Sequence, residues 1–202
     1  MRALPADFVV RFGHHETCDE GGCVNDWVSY CCGTGQITDH PPCESPACAE
    51  FAIVLNDSMP SDEMRTRLLG PLISILATTV ITPKLEQQRA YYFADRAVRL
   101  FAPLALDAWG LPEQASTLRA LPEVVDAASA DRAAAIADRA AASADRDAAS
   151  ADRAAAIANR AAAIAAIAAS AASAASAASV EESWQQAVDV LRTAALMGKE
   201  AA

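Results

Sequence analysis

Residues 128–169 read ASADRAA AIADRAA ASADRDA ASADRAA AIANRAA AIAAIAA, six seven-residue blocks in register. The pattern then thins to Ser170, Ser173, Ser176 and Ser179, each separated by two alanines. Thirty of the 53 residues from 128 to 180 are alanine, the strongest helix former, and no glycine or proline falls between Glu123 and Met197. The stretch predicts helix throughout, about 110 Å of it if unbroken at ~1.5 Å per residue. Ser179-Val180-Glu181-Glu182 matches a capping box, which would open a separate last helix and fold the rod into a helical hairpin.

The period also selects a packing face. With Ala133, Ala140, Asp147, Ala154 and Ala161 at heptad position a, position d holds Ile136, Ser143, Ser150, Ile157 and Ile164. Such a coiled-coil seam buries little apolar area per turn, but its small side chains let a second helix come close. Self-association into a homo-oligomer is the expectation it carries. Asp131, Asp138, Asp145 and Asp152 each stand directly before an arginine, a spacing that pairs nothing on its own helix. Those charges solvate the rod, or the arginine row meets carboxylates elsewhere. Alanine and serine are too weakly apolar to predict a membrane span. Serines at every third residue step ~60° around a helix, so they form no flat ice-binding face.

N-terminal to the repeat, glycine and proline divide the chain. All ten prolines lie at or before Pro122, and every glycine except Gly198 lies at or before Gly110. Four regions follow: an irregular Cys/His-rich segment 1–46, a helical domain 47–127, the repeat 128–180 and an amphipathic helix 181–202. In the first, Phe8-Val9-Val10 and Trp27-Val28-Ser29-Tyr30 are short enough to be strands. In the second, Pro46 suits a helix start, and Ser61 caps a helix whose first turn holds Asp62 and Glu63. Gly70-Pro71 should break that segment, and the uncharged run 68–82 reads as core rather than membrane. Pro83 opens a helix with Phe93, Ala97, Leu100, Phe101 and Leu104 on one buried face, and with an Asp95–Arg99 pair on its surface. Pro103 should bend it and Gly110 end it, while Leu111-Pro112 and Leu121-Pro122 mark further helix starts. In the last region Val180, Trp184, Val188, Leu191 and Ala195 share one apolar face. Trp184, Val188 and Leu191 are therefore the expected anchor, against the helical domain or a second subunit.

The net charge of −10 is concentrated at the front, where residues 1–60 carry nine carboxylates and two arginines. A nucleic-acid backbone would be repelled, whereas a basic protein partner is favoured. Six cysteines lie between residues 18 and 48, with His14, His15 and His40 nearby. Cys18-x4-Cys23 and Cys43-x4-Cys48 form two close pairs separated by a loop, the arrangement of a four-ligand zinc site. Unligated thiols and disulfides remain open alternatives. The first residues show no continuous apolar run of ~7–15, so a cytoplasmic, reducing location is expected, where disulfides are the rarer outcome. A Cys–His pair would allow a thiol enzyme, but no P-loop, dinucleotide glycine motif, HExxH or GxSxG is present.

Leu55-Asn56-Asp57-Ser58, Ser61-Asp62-Glu63, Leu69-Gly70-Pro71-Leu72, Arg89-Ala90-Tyr91, Ala94-Asp95-Arg96-Ala97-Val98-Arg99 and Leu121-Pro122-Glu123-Val124-Val125-Asp126 resemble uncharacterised proteins of actinobacteria and their phages. Those proteins also end in alanine-rich repeats, and the resemblance spans roughly residues 40–160. It implies no activity and no functional residues. The expectation for the whole chain is a mainly α, non-catalytic interaction protein, an accessory or inhibitor in phage–host or toxin–antitoxin conflict. The alternatives are a zinc-stabilised protein that self-associates through its alanine helix, and a thiol enzyme.

Overall fold

Helix starts along the chain follow local caps. In the computed structural model, which describes residues 1–13, 15–19, 21–33, 35–108, 110–147 and 177–199, the chain is mainly helical, with no strand among the described residues. Cys23 caps α1 (Val24–Cys32) in a capping box with Asp26, and Gly33 closes the helix in the left-handed conformation at φ 70°. The expected strand at Trp27-Val28-Ser29-Tyr30 is thus the middle of a helix, because the cap four residues earlier outweighs a short apolar run. Phe8-Val9-Val10 contributes one isolated parallel bridge, from Val10 to Gly22.

Ser45 caps α2 (Pro46–Ser58) and Ser61 caps α3 (Asp62–Leu69), both where the sequence places them. Gly70–Leu72 tightens to a 3-10 turn at the expected break, and α4 (Ile73–Leu76) follows with Ile73 and Leu76 fully buried. α5 (Pro83–Arg96) starts on Thr82, whose Oγ1 accepts from Leu85 N at 3.2 Å. A π turn (Ala97–Phe101) then leads into α6 (Ala102–Ala108). Pro103 has no N–H to donate, and the ladder widens just before it, Ala102 N donating to Ala97 O. The extra residue shifts the buried face: Phe93, Ala97 and Phe101 are buried as expected, but Ala105 and Leu106 are buried where Leu104 is only half-buried.

α7 (Pro112–Arg119) begins at its expected proline. Leu121-Pro122 starts no helix; α8 (Ala127–Asp147) starts on Asp126, whose Oδ1 accepts from Ser129 N at 2.7 Å while Ser129 Oγ accepts from Asp126 N at 3.0 Å. α9 (Ala177–Leu196) already runs through Ser179-Val180-Glu181-Glu182, so that sequence does not open the last helix. The repeat from residue 148 to 176 lies outside the described residues, and with it heptad positions Ser150, Ala154, Ile157, Ala161 and Ile164. In the described part, α8 packs against α7 and the π turn with Ser129, Ala133 and Ala137 buried and Ile136 half-buried.

Two compact units result, Met1–Arg89 with Gln185–Ala202, and Ala90–Trp184. In the first, side chains stand in for missing ladders. Asn56 accepts from Val24 N at 3.2 Å and donates to Arg11 O at 2.9 Å, Trp27 Nε1 donates to Val9 O at 2.8 Å, and Asn25 Nδ2 donates to Asp39 O at 2.7 Å. The C-terminal helix is held here by Arg89, which is fully buried and donates to Ala194 O at 2.9 Å and Met197 O at 3.1 Å. In the second unit, the acid of the expected surface pair is buried while Arg99 is half-buried. Asp95 is 1 % exposed and accepts from Arg99 Nε at 2.6 Å, Arg99 Nη2 at 2.9 Å and Val124 N at 3.0 Å.

Candidate metal centre and adjoining cleft

The first turn of α1 gathers the polar chemistry of the N-terminal segment. Cys23 Sγ accepts from Asp26 N at 3.3 Å, and Asp26 Oδ2 accepts in return from Cys23 N at 2.8 Å and from His15 N at 3.0 Å. His15 Nδ1 stands 3.3 Å from the same oxygen. From the segment after α1, Asp39 brings Oδ1 to 3.2 Å from Cys23 Sγ, held there as its own carbonyl receives Asn25 Nδ2. Ligand atoms of Cys23, Asp26 and Asp39 consequently lie within 4.8 Å of one another. Among the described residues this group of one thiol and two carboxylates can hold a metal ion.

A thiolate with two carboxylates is a donor set that a divalent cation would accept. Tetrahedral zinc with ligand bonds of ~2.0–2.3 Å places its ligands about 3.5 Å apart, close to the Cys23–Asp39 spacing. Burial, and then Asp26, push the Cys23 thiol upward, so in the absence of a cation the proton stays on sulfur. A bound cation would displace that proton, and His15 beside Asp26 is placed as a supporting partner to the carboxylate ligand.

The four sulfurs expected to share one zinc are not brought together. Cys43 is joined to Cys32 in a disulfide, Cα to Cα 6.4 Å. Cys18, Cys23 and Cys48 are free thiols. Cys48 sits in the first turn of α2, its N–H on Ser45 Oγ at 3.3 Å, and burial pushes it up to about 12. Cys18 is half-buried near Asp26, pushed up to about 12 by burial and then by that carboxylate. In each x4 pair one member caps or enters a helix while the other lies in the preceding loop. Asp26 and Asp39 were not among the expected ligands. Asp26 is three residues after a helix-capping cysteine, a signal the sequence does carry; Asp39 has none. No described helix is long and apolar enough to cross a membrane.

Beside this centre opens a cleft of about 1030 Å³. One wall is aromatic: Trp27 meets Phe8 edge-on at 5.8 Å and Tyr30 at 5.5 Å. The lining also carries Asp7, Glu16 and Asp19 against Arg11. Gly21 makes room for Arg11: with φ at 111°, any Cβ there would stand 2.5 Å from Arg11 Nε. Trp184, Val188 and Leu191 lie elsewhere, at 3 %, 1 % and 0 % exposure within this single chain.

No protein-family model, no curated protein and no solved structure matches the chain.

Proposed function

We propose that the protein is a non-catalytic interaction module that receives a basic segment of a protein partner in the cleft beside α1. The observation that carries this reading is the mixed lining of the cleft, in which the aromatic residues Phe8, Trp27 and Tyr30 stand with three carboxylates and one arginine. Aromatic surface supplies contact area and the carboxylates supply charge complementarity and a fast encounter. The thiol-enzyme alternative is disfavoured by the raised Cys18, since a thiol that keeps its proton is a poor nucleophile. A role as accessory or inhibitor in phage–host or toxin–antitoxin conflict agrees with the resemblance and with the acidic front of the chain.

The test is titration of the full chain with a lysine- and arginine-rich peptide carrying one aromatic residue. Binding that weakens with salt, and that falls about tenfold in the Asp7→Asn, Glu16→Gln, Asp19→Asn triple variant, is the expected result. A peptide indifferent to the triple variant would refute the cleft as the docking site.

A second reading rests on Cys23, Asp26 and Asp39: a metal-stabilised structural protein, with zinc as the cation their chemistry favours. Self-association through the alanine helix belongs to that reading, and half of its seam positions lie outside the described residues.

A further inference from the structure

Glu44 immediately precedes the Ser45 cap of α2 and is 2 % exposed, yet neither of its carboxyl oxygens has a hydrogen-bond partner. Burial pushes this carboxyl up to about 8. Ser45, Thr79 and Arg89 are committed elsewhere. Ser45 Oγ donates to Glu86 Oε2 at 2.7 Å, and Ser45 N donates to Thr79 Oγ1 at 2.6 Å. Arg89, a nearby cation, is shared among Glu86 and the carbonyls of Val80, Ala194 and Met197. Buried polar atoms are nearly always partnered, so a buried carboxyl with two bare oxygens calls for an explanation.

Glu44 borders a cavity of about 230 Å³ whose other walls are His40, Pro41, Pro42, Pro46, Ala49 and Ile81. That is below the ~300–1,000 Å³ of pockets that enclose a whole small molecule. It suits one narrow chain with a polar head. Three prolines, Ala49 and Ile81, the last 43 % exposed, offer an apolar collar of the kind that aliphatic stems of cationic side chains follow.

We propose that this cavity is a binding site for a guanidinium group on a short aliphatic stem, with Glu44 as its counter-ion. Two bare oxygens on one carboxyl match the two parallel N–H groups of a guanidinium, whereas an ammonium, a point charge, makes no such paired contact. As the cation arrives, the Glu44 carboxyl turns toward it and gives up its proton to solvent. The guanidinium belongs either to a free small molecule or to an arginine of another protein. The site is independent of the cleft beside α1 and stands whether or not a partner docks there.

The experiment is calorimetric titration of the full chain with three probes: butylguanidine, butylamine of matched stem, and a capped Gly-Arg-Gly peptide. At least one guanidinium probe should bind one-to-one and more tightly than butylamine. Glu44→Gln should weaken it roughly ten- to a hundredfold, the range for loss of a charged hydrogen-bonded pair. Ile81→Trp, which blocks the collar and leaves Glu44 in place, should abolish binding as well. Tighter binding of the peptide identifies an arginine of another protein as the source; tighter binding of butylguanidine identifies a free guanidine. Silence of both guanidinium probes, or equal affinity in Glu44→Gln, overturns the assignment.

Discussion

Cys23 caps α1 through its sulfur, and that role separates it from Cys48, which lies inside the first turn of another helix. The number of thiols and their pairwise spacing were readable in the chain, but spacing alone does not say which cysteine faces which. Asp39 reaches Cys23 because the segment after α1 folds back, and nothing local in the sequence encodes that return. Two predictions belong at this scale. Protein refolded with zinc should bind about one ion per chain. Cys23→Ser and Asp39→Asn should lose it while Cys48→Ser keeps it, as read by metal analysis after gel filtration; zinc lost in Cys48→Ser and kept in Cys23→Ser would reverse the assignment. The Cys32–Cys43 bridge closes a loop of sequence separation 11 that also carries Asp39. Replacing both cysteines by serine should cost about 3 kcal/mol by loop-closure entropy, measured by urea unfolding, and should lower zinc affinity with it. Unchanged stability under non-reducing conditions would contradict a formed bridge.

Helix starts marked by proline or serine were legible at Pro46, Ser61, Pro83 and Pro112, because each cap is decided within four residues. Leu121-Pro122 misled for the same local reason: the Asp126 and Ser129 side chains cap each other's N–H groups and move the start downstream. The π turn before Pro103 was not legible, since the sequence shows that a bond is missing but not how the helix absorbs it. The apolar face of α9 was legible, whereas its polar fastening was not. Arg89 donates from α5 to carbonyls at the end of α9, and Lys199 Nζ donates to Ile75 O at 3.0 Å and Thr78 Oγ1 at 2.8 Å. A cation among the last carbonyls of a helix also meets the negative end of its dipole. Arg89→Met should cost roughly 3–5 kcal/mol, because it removes the cation from Glu86 Oε1 and the guanidinium donors from the carbonyls of Val80, Ala194 and Met197. Arg89→Lys should recover little of it, lacking the planar fork. Trp184→Ala should cost ~3–5 kcal/mol for the loss of a buried ring. Chemical denaturation checks all three, and a loss below about 1 kcal/mol in Arg89→Met would show the fastening to be incidental.

At the scale of the whole molecule, each compact unit holds one buried carboxyl displaced from its ordinary value, and the two are displaced in opposite directions. In the unit Ala90–Trp184, burial would raise Asp95, but hydrogen bonds from Arg99 and Val124 and the charges of Arg99 and Arg96 more than offset it and hold it below the usual range. The unfolded carboxyl takes up its proton first as pH falls from about 4. Asp95 therefore contributes stability that is present above that point and lost as acid carries the folded group through its own lower value. In the unit Met1–Arg89 with Gln185–Ala202, Glu44 sits at about 8 against an unfolded value of about 4.3. Between those two values the folded chain keeps a proton that the unfolded chain has released, so stability falls with rising pH and levels off above 8. The change is on the order of 4–5 kcal/mol across that window. Hydrogen exchange followed by mass spectrometry reads the two units separately. After correction for intrinsic exchange, protection of α2 should decline from pH 5 to pH 8 while that of α6 and α7 stays level, and α6 and α7 should lose protection below pH 4. Glu44→Gln should flatten the first slope and leave the second untouched, because the amide has no proton to release. A slope in α2 that survives this substitution would place its origin in another group and remove Glu44 from the account.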